Sequence, residues 1–197
     1  GDAFSISEIP DIKADVFYLA GLLKGEFNIE YLKACSERGK VAMDVQGFVR
    51  HNNNGNLDFG PWEEKKEGCK YIYYFKADAA ETFELTGEKD REKGARIIAS
   101  WGPKEVMVSH NTELIALVDD KVYRAPMKPK SLKGRTGRGD TSFSTYVALR
   151  NSGMDPQKAI AYAAALVSLK VGIPGPMKML KKEIDEFFAK EYAEFNK

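Results

Sequence analysis

Residues 134–143 read Gly134-Arg-Thr-Gly-Arg-Gly-Asp-Thr-Ser-Phe143. This stretch combines a glycine-rich turn, an aspartate where the turn ends, and the start of a segment with helical character. Gly137 and Gly139 allow backbone conformations in which successive N–H groups converge on an anion. A helix that begins near Asp140 would add its unpaired N–H groups and the positive end of its dipole. The stretch therefore predicts a phosphate site, with Asp140 placed to take a proton from an attacking hydroxyl.

The same stretch also has a simpler interpretation. An aspartate after a Gly-x-Gly turn is often only the N-cap of a helix. No Gly-Lys-Ser/Thr follows the turn, so it is not a Walker A loop, and it lacks the Gly-x-Gly-x-x-Gly spacing of the Rossmann fingerprint. Taken alone, the stretch leaves a phosphoryl-transfer site and a structural turn equally open.

Length and composition indicate an ordinary globular protein. A chain of 197 residues suits one domain, expected over residues 1–197. A net charge of +1 gives no reason to expect nucleic acid or a membrane as partner. Cys35 and Cys69 lack metal-ligand spacing, which favours reduced thiols. No apolar run reaches membrane-spanning length and the first residues show no signal-peptide pattern, so the cytoplasm is the expected location.

The hydrophobic pattern alternates strands with helices, which predicts an α/β fold with a parallel, helix-covered sheet. The predicted strands are residues 15–20, 41–45, 71–75, 106–109, 114–118 and 122–125, and the last two should form a hairpin. The predicted helices are residues 28–38, 78–85, 91–101, 140–152, 156–171 and 177–195, with Pro176 near the start of the last one. The asparagine-rich residues 51–56 are predicted to form a surface loop.

Polar residues follow three of the predicted strands. Open α/β sheets bind ligands at the carboxyl ends of their strands, so these residues are candidates for a site. The three sets are Asp44, Gln46 and Arg50; Lys76, Asp78 and Glu81; and Ser109, His110 and Asn111. His51 and His110 are isolated, and we interpret both as non-catalytic.

Asp78 and Glu81 are spaced i, i+3 at the predicted start of a helix, so both side chains can face one side. Two carboxylates in this arrangement can hold a hydrated Mg²⁺ beside phosphates. Taken alone, the pair is better explained as a capping box, in which Asp78 is the N-cap and Glu81 closes the box. The two interpretations are compatible with each other.

The segment from Met127 to Arg138 is strongly basic. It contains no acid and five cations, at Lys128, Lys130, Lys133, Arg135 and Arg138. Such a run is usually a solvated loop. Because it leads into the glycine turn, it would also raise the local concentration of an anionic ligand. Arg138 lies inside the turn and can contact phosphate oxygens directly.

Together, these motifs resemble those of the ribokinase-like (PfkB) carbohydrate kinases. The family's Asp-Thr-Thr-Gly-Ala-Gly-Asp motif matches 134–140, its Asn-x-x-Glu motif matches 78–81, and its Val-Thr-x-Gly-x-x-Gly segment is similar to 108–114. The family's Asp-x-Asn-x-x-Arg segment resembles 44–50, and its late alanine-rich helix with a Gly/Pro loop looks like 159–176. Order and spacing agree over nearly the whole chain.

The resemblance implies a ribokinase-like three-layer α/β/α fold and an ATP-dependent kinase that phosphorylates a sugar or a related small alcohol. Asp140 would be the general base, and the backbone of Gly137, Arg138 and Gly139 the anion hole. Glu81 with Asp78 would organise Mg²⁺. The cofactors implied are ATP and Mg²⁺, with a monovalent cation left open. The nucleotide would be bordered by Ser109, Asn111, Thr136, Ala164, Ser168 and Pro174, and the weak candidates for substrate contact are Asp44, Gln46 and Arg50.

Six of the chain's departures from the family motifs bear most on the proposed chemistry. They are Gly134, Arg135 and Arg138 in the glycine turn, Asp78 in place of asparagine, and Asn111 and Leu114 in place of glycines. Family members also carry an N-terminal portion with the first sheet strands and a β lid, so the chain is expected to be a fragment or naturally short. Exposed edge strands would then invite a partner or a homodimer. These departures keep a second hypothesis open, a non-catalytic nucleotide- or phosphate-binding module.

Overall fold

The computed structural model describes residues 2–131, 133 and 136–196. The chain divides into two compact units. The first contains the residues up to Val108 together with Leu117–Lys121, and the second contains Ser109–Ala116 and the residues from Val122 onwards. Gly134 and Arg135 of the glycine turn lie outside the described residues. No described helix is long and apolar enough to cross a membrane.

The first unit is built on parallel strands with helices between them. Its strands are β1 (Val16–Leu19), β2 (Lys40–Asp44), β3 (Arg50–Asn53), β4 (Asn56–Phe59), β5 (Tyr74–Asp78) and β6 (Glu105–Ser109), the last residue of β6 belonging to the second unit. Its helices are α1 (Ile29–Ser36), α2 (Gln46–Val49), α3 (Lys65–Gly68), α4 (Ala79–Thr86) and α5 (Arg91–Ala99). Strands β1, β2, β5 and β6 are consecutive neighbours in one sheet.

The register of the sheet brings two strand ends together. β1 and β2 are parallel, with Val16 opposite Lys40, and β2 and β5 are parallel, with Asp44 opposite Lys76. From Val41 to Asp44 every residue of β2 is buried, and β6 is buried throughout. Continuous apolar strands of this kind are typical of parallel sheets that are covered on both faces.

The second unit consists of a hairpin and three long helices. Its elements are β7 (Glu113–Val118), β8 (Lys121–Pro126), α6 (Arg138–Asn151), α7 (Pro156–Lys170) and α8 (Lys181–Glu191), although the turn of the hairpin belongs to the first unit. Tyr162 on α7 donates a hydrogen bond to Asp185 on α8, with an O–O distance of 2.7 Å. Tyr192 is buried after α8 and donates to the Pro126 carbonyl at 2.8 Å. The C-terminal segment is therefore bound firmly to this unit.

Three predictions about local structure are wrong. Residues 51–56 belong to the antiparallel hairpin β3–β4, which turns at Asn54-Gly55 with φ angles of 51° and 92°. An Asn-Gly pair with two positive φ angles is a favoured hairpin turn, a signal hidden here by polar strands. The third parallel strand begins at Tyr74 because Tyr71 belongs to a 3₁₀ turn. The last helix begins at Lys181, so Pro176 precedes it.

Candidate active site

The glycine turn and the first residues of α6 form a single structure. Gly137 is the N-cap of α6 with φ 74° and ψ 14°, a left-handed conformation that favours glycine. Arg138, Gly139 and Asp140 form the first helical turn, where N–H groups have no partner within the helix. The helix therefore begins two residues before the predicted position, and Asp140 lies exposed in its first turn. The backbone geometry suits an anion.

Arg138 connects the turn to the segment after β6. Its guanidinium donates a hydrogen bond to the Asn111 side-chain oxygen. Asn111 stands at the first of the two positions where the family has a glycine, and Arg138 stands where the family has alanine. The structure thus brings two departures from the family motifs into direct contact. Ser109, in the same segment, is buried at the end of β6.

Lys170 is the residue near the turn that the sequence analysis missed. It is the last residue of α7 and is only 3% exposed. Its ammonium donates to the Thr136 carbonyl at 2.9 Å, and the Ile173 carbonyl lies 3.5 Å away. A side chain built on Gly137 would meet Lys170 Cε at 3.9 Å and Asp140 Oδ2 at 4.0 Å. The one signal available was a lysine closing an alanine-rich helix.

The residues expected to border a nucleotide base differ in accessibility. Ala164 is fully buried and Ser168 is 2% exposed, whereas Pro174 is exposed. The Ser168 hydroxyl donates to the Ala164 carbonyl at 2.6 Å, accepts from the Lys128 backbone N–H at 2.9 Å, and lies 3.1 Å from the Tyr192 hydroxyl. Beside it is a cavity of about 230 Å³, whose lining includes Lys130, Ser168, Leu169, Gly172, Ile173 and Phe187.

In the first unit, a buried ion cluster lies at the ends of β2 and β5. The Lys76 ammonium is 2.8 Å from Asp44 Oδ2 and 3.6 Å from Glu81 Oε2. All three residues are buried: Lys76 is 4% exposed, Asp44 5% and Glu81 1%. The Asp44 Oδ1 atom also accepts a hydrogen bond from the Gln46 backbone N–H at 3.1 Å. Asp44, a predicted substrate contact, and Glu81, a predicted metal ligand, therefore both lie close to the Lys76 ammonium.

The environment shifts the pKa values within this cluster. Burial raises the pKa of Glu81 to about 7, against the opposing effect of the Lys76 charge, and Asp44 and Asp78 raise it further. Burial by itself would lower the pKa of Lys76, but the Asp44 and Glu81 carboxylates more than offset this, so that the pKa is raised. Lys76 is therefore charged at neutral pH, and Glu81 titrates near it.

Asp78 and Glu81 form the predicted capping box at the start of α4. The Glu81 N–H donates to Asp78 Oδ1 at 2.8 Å, and the Asp78 N–H donates to Glu81 Oε2 at 2.7 Å. Asp78 is half-buried. Within the described part of the chain, no group of three or more His, Cys, Asp or Glu residues is arranged to hold a metal ion.

Gln46 is the first residue of the short helix α2 and Arg50 follows its end; both are half-buried. The Gln46 side-chain amide lies 3.5 Å from the Gly21 carbonyl. A Cβ on Gly47 would come within 2.7 Å of the Gly21 Cα, so glycine is required where the two backbones approach. Helix α2 is thereby held against the chain segment that follows β1, which fixes Gln46 near the Asp44 carboxylate.

The chain is similar to several solved kinase structures, whereas no protein-family model matches it. A pyrophosphate-dependent kinase of the ribokinase family, solved with a pyrophosphate analogue and myo-inositol, shares 34% identity at a TM-score of 0.86, covering 94% of this chain and 67% of that chain. A second structure concerns the conversion of a pyrophosphate-dependent myo-inositol-1 kinase into a myo-inositol-3 kinase. It shares 33% identity at a TM-score of 0.87, and the match covers 96% of this chain and 68% of that chain.

A more distant structure supports the fold. The Arabidopsis thaliana ribokinase, solved with ribose and ATP, shares 20% identity at a TM-score of 0.69, covering 88% of this chain and 55% of that chain. The chain spans about two thirds of the inositol-kinase structures and little more than half of this ribokinase. The predicted ribokinase-like fold, a mainly parallel sheet with helices on both faces, is confirmed. The chain belongs to the ribokinase family.

Proposed function

We propose that this chain carries the phosphoryl-transfer machinery of a kinase that phosphorylates a hydroxyl group of a sugar or related small alcohol, with ATP as donor. The observation that carries the proposal is the left-handed Gly137 cap, which opens α6 with three successive N–H groups and places Asp140 in the first turn. A turn with a purely structural role would need only a residue that caps the helix. It would not require the exposed Asp140 beside unpaired N–H groups, or the buried Lys170.

In this proposal Asp140 is the general base. Its carboxylate takes the proton of the acceptor hydroxyl, the hydroxyl oxygen forms a bond to the γ-phosphorus, and the bond from that phosphorus to the bridging oxygen of ATP breaks. ADP leaves with the electron pair of that bond, and Asp140 releases its proton to solvent. The N–H groups of Gly137, Arg138 and Gly139 stabilise the charge that develops on the transferred phosphoryl oxygens.

Magnesium is the metal that such a donor requires, and the acids of the first unit fit a hydrated ion better than a directly bound one. Asp78 is half-buried, whereas Glu81 is buried, engaged in the capping box and close to Lys76. Asp78 would therefore hold a water of the Mg²⁺ shell, with Glu81 orienting Asp78 through the capping box. The ion would neutralise phosphate charge.

For the acceptor, Gln46 and Arg50 are better placed than Asp44. Both are half-buried, so their side chains remain open to a ligand, while the Asp44 carboxylate is occupied by Lys76 and by the Gln46 N–H. We propose that Gln46 and Arg50 contact the acceptor, with Asp44 supporting Gln46 from behind.

Pyrophosphate is a second candidate donor. The two inositol kinases with the higher identities are described as pyrophosphate-dependent. In this chain, Ala164 and Ser168 are buried beneath the chain's own residues and Arg138 is bound to Asn111, so these expected nucleotide contacts are already occupied. The cavity of about 230 Å³ beside Ser168 is the space in which a nucleobase would have to fit. Pyrophosphate needs the phosphate-binding turn and no such cavity.

The test is an assay of phosphorylated product with either Mg-ATP or Mg-pyrophosphate, across a panel of sugars, sugar acids, nucleosides and inositols. Asp140→Asn is the inactive control. Asp155→Asn is its matched control, because Asp155 caps α7 in the same unit but follows no glycine turn. We expect turnover that Asp140→Asn reduces by about 10²- to 10⁴-fold and Asp155→Asn leaves unchanged.

Either donor result keeps the kinase assignment and names the donor. Wild-type rates in Asp140→Asn would refute the role of Asp140. Binding of ATP or pyrophosphate without turnover of any acceptor would favour the non-catalytic binding module instead. A Mg²⁺ titration of Glu81→Gln tests the metal assignment, because glutamine keeps the capping box but removes the negative charge of Glu81. A higher Mg²⁺ requirement is expected, and an unchanged titration would contradict the assignment.

A further inference from the structure

Among the described residues, only main-chain carbonyls bind the ammonium of Lys170. It donates to the Thr136 carbonyl at 2.9 Å, with the Ile173 carbonyl at 3.5 Å. Among residues 2–131, 133 and 136–196, no carboxylate lies within ion-pair distance of it, and its residue is 3% exposed. A buried charge is normally paired with an opposite charge or removed. Lys170 therefore needs another source of compensation.

The carbonyl environment supplies part of that compensation. Lys170 ends α7, where the helix dipole is negative, so a cation is favoured there. Carbonyl oxygens that replace a hydration shell are also the ligands that proteins offer to monovalent metal ions. The ammonium group thus occupies an environment of the kind in which a potassium ion binds.

The contact with Thr136 has a geometric consequence for the phosphate-binding turn. In a planar trans peptide, the carbonyl of one residue and the N–H of the next point in opposite directions. Because the Thr136 carbonyl points to Lys170, the N–H of Gly137 points away from it. Lys170 Cε and Asp140 Oδ2 also lie 3.9 and 4.0 Å from the place where a Gly137 side chain would stand. One ammonium therefore sets the orientation of the peptide that opens the turn.

We propose that Lys170 is a positioning residue for the phosphate-binding turn and that its ammonium takes the place of a bound monovalent cation. This inference rests on the proposed kinase function for its catalytic consequence, but not for its structural one. The lysine fixes the Thr136–Gly137 peptide and places an ammonium group beside the anion hole. In this proposal, phosphoryl transfer by this chain needs no potassium ion, because the Lys170 ammonium takes its place.

The test replaces the ammonium and then supplies a cation from solution. Lys170→Met removes the charge at similar length. Lys65→Met is the matched control, because the Lys65 ammonium also donates to a main-chain carbonyl, that of Leu85 at 2.6 Å, but in the other unit. Values of kcat and of KM for the donor are measured in choline chloride, KCl and NH₄Cl at constant ionic strength. Thermal unfolding midpoints are recorded in the same salts.

We expect wild type and Lys65→Met to turn over at rates that differ by less than about twofold among the three salts. In choline chloride, Lys170→Met should lose about 10²-fold in kcat, the size of effect seen when one electrostatic contact to an oxyanion is removed. In KCl or NH₄Cl, the kcat of Lys170→Met should be at least about tenfold higher than in choline chloride. Of the three proteins, only Lys170→Met should show a higher unfolding midpoint when choline is replaced by K⁺ or NH₄⁺.

Three results would overturn the proposal. They are a wild-type kcat in Lys170→Met, a wild-type enzyme that itself requires K⁺, and a loss in Lys170→Met that no monovalent cation restores in rate or in unfolding midpoint. If wild type phosphorylates nothing, the proposed function fails, and the unfolding midpoints still test Lys170. If Lys170→Met does not fold, Lys170→Gln, whose amide can still donate to Thr136, is compared in the same salts.

Discussion

Two lysines, Lys76 and Lys170, are almost equally buried, at 4% and 3% exposure, yet their surroundings differ completely. Lys76 is 2.8 Å from an Asp44 oxygen and 3.6 Å from a Glu81 oxygen. Within the described part of the chain, the Lys170 ammonium contacts only the carbonyls of Thr136 and Ile173. The charge of Lys76 is neutralised by carboxylates, whereas no described carboxylate pairs with Lys170.

The difference suggests a structural role for Lys76 and a role beside the proposed phosphate site for Lys170. Two carboxylates around one ammonium leave no net positive charge for an anion, so the Lys76 cluster can only hold α4 and the end of β2 in place. The turn beside Lys170 joins an unneutralised ammonium to the free N–H groups of α6. In the proposed function, only the second arrangement would be stabilised by a bound phosphate. Measurements of stability, pH dependence and backbone strain can test this contrast.

The largest expected effect is the loss of stability on Lys76→Met. Removing one partner of a buried ion pair leaves the Asp44 carboxylate uncompensated, which costs about 3–5 kcal/mol of unfolding free energy. Lys170→Met leaves only carbonyls without a donor, which costs about 1–3 kcal/mol and also removes a buried charge. Urea denaturation of both variants measures the difference.

A double variant separates the charge from the packing. Asp44→Asn with Lys76→Met removes both charges, and replacing a whole buried pair by neutral groups is often nearly neutral in stability. We expect the double variant to be more stable than Lys76→Met alone. Equal destabilisation by Lys76→Met and Lys170→Met would erase the contrast between the two lysines.

The fold was largely accessible from the sequence because its signals are local. The apolar run of β2, the Asn28 and Asp155 caps and the Gly137 turn each act within a few residues, and these elements lie where predicted to within a few residues. The hairpin β3–β4 was missed because its strands are polar and largely exposed, so hydrophobic alternation could not reveal them. The Asn54-Gly55 pair was the feature of the sequence that could have predicted this hairpin.

The candidate site was accessible only in part. Motif spacing pointed to Asp140, Asp78 and Glu81, because each belongs to a segment of four to seven residues. The partners Lys76 and Lys170 depend on pairing between distant segments. Lys76 meets Asp44 through the register of β2 and β5, and Lys170 meets Thr136 across 34 positions of sequence. The burial of Ser168 likewise depends on where Tyr192 packs.

A second, smaller effect is the pH dependence that Glu81 gives to stability. Its folded pKa of about 7 lies above the ordinary value of 4.5, so the folded state holds this proton more tightly. The resulting stabilisation is complete below about pH 4.5 and is lost as pH rises towards 7, by at most on the order of 3 kcal/mol. Urea unfolding of wild type and Glu81→Gln at pH 5 and pH 8 checks this.

Glutamine stays neutral and can still accept from the Asp78 N–H, so it keeps the capping box. The unfolding free energy of Glu81→Gln should therefore change less between the two pH values than that of wild type. A wild type that gains stability through Glu81 with rising pH would mean that the Lys76 charge outweighs burial. The cluster would then be a fully ionised pair of acids around one lysine.

The smallest expected effect compares two glycines with nearly the same backbone angles. Gly137 has φ 74° and ψ 14°, and Gly87, which ends α4 in the other unit, has φ 72° and ψ 4°. A Cβ would meet nothing within 4 Å at Gly87 and only ordinary contacts at Gly137. Alanine should therefore cost each site about 1–2 kcal/mol through the left-handed conformation alone. Only Gly137→Ala should also lower kcat, because its methyl group would stand between Lys170 and Asp140. Equal kcat values in the two variants would show that the turn beside Lys170 is a helix cap with no part in catalysis.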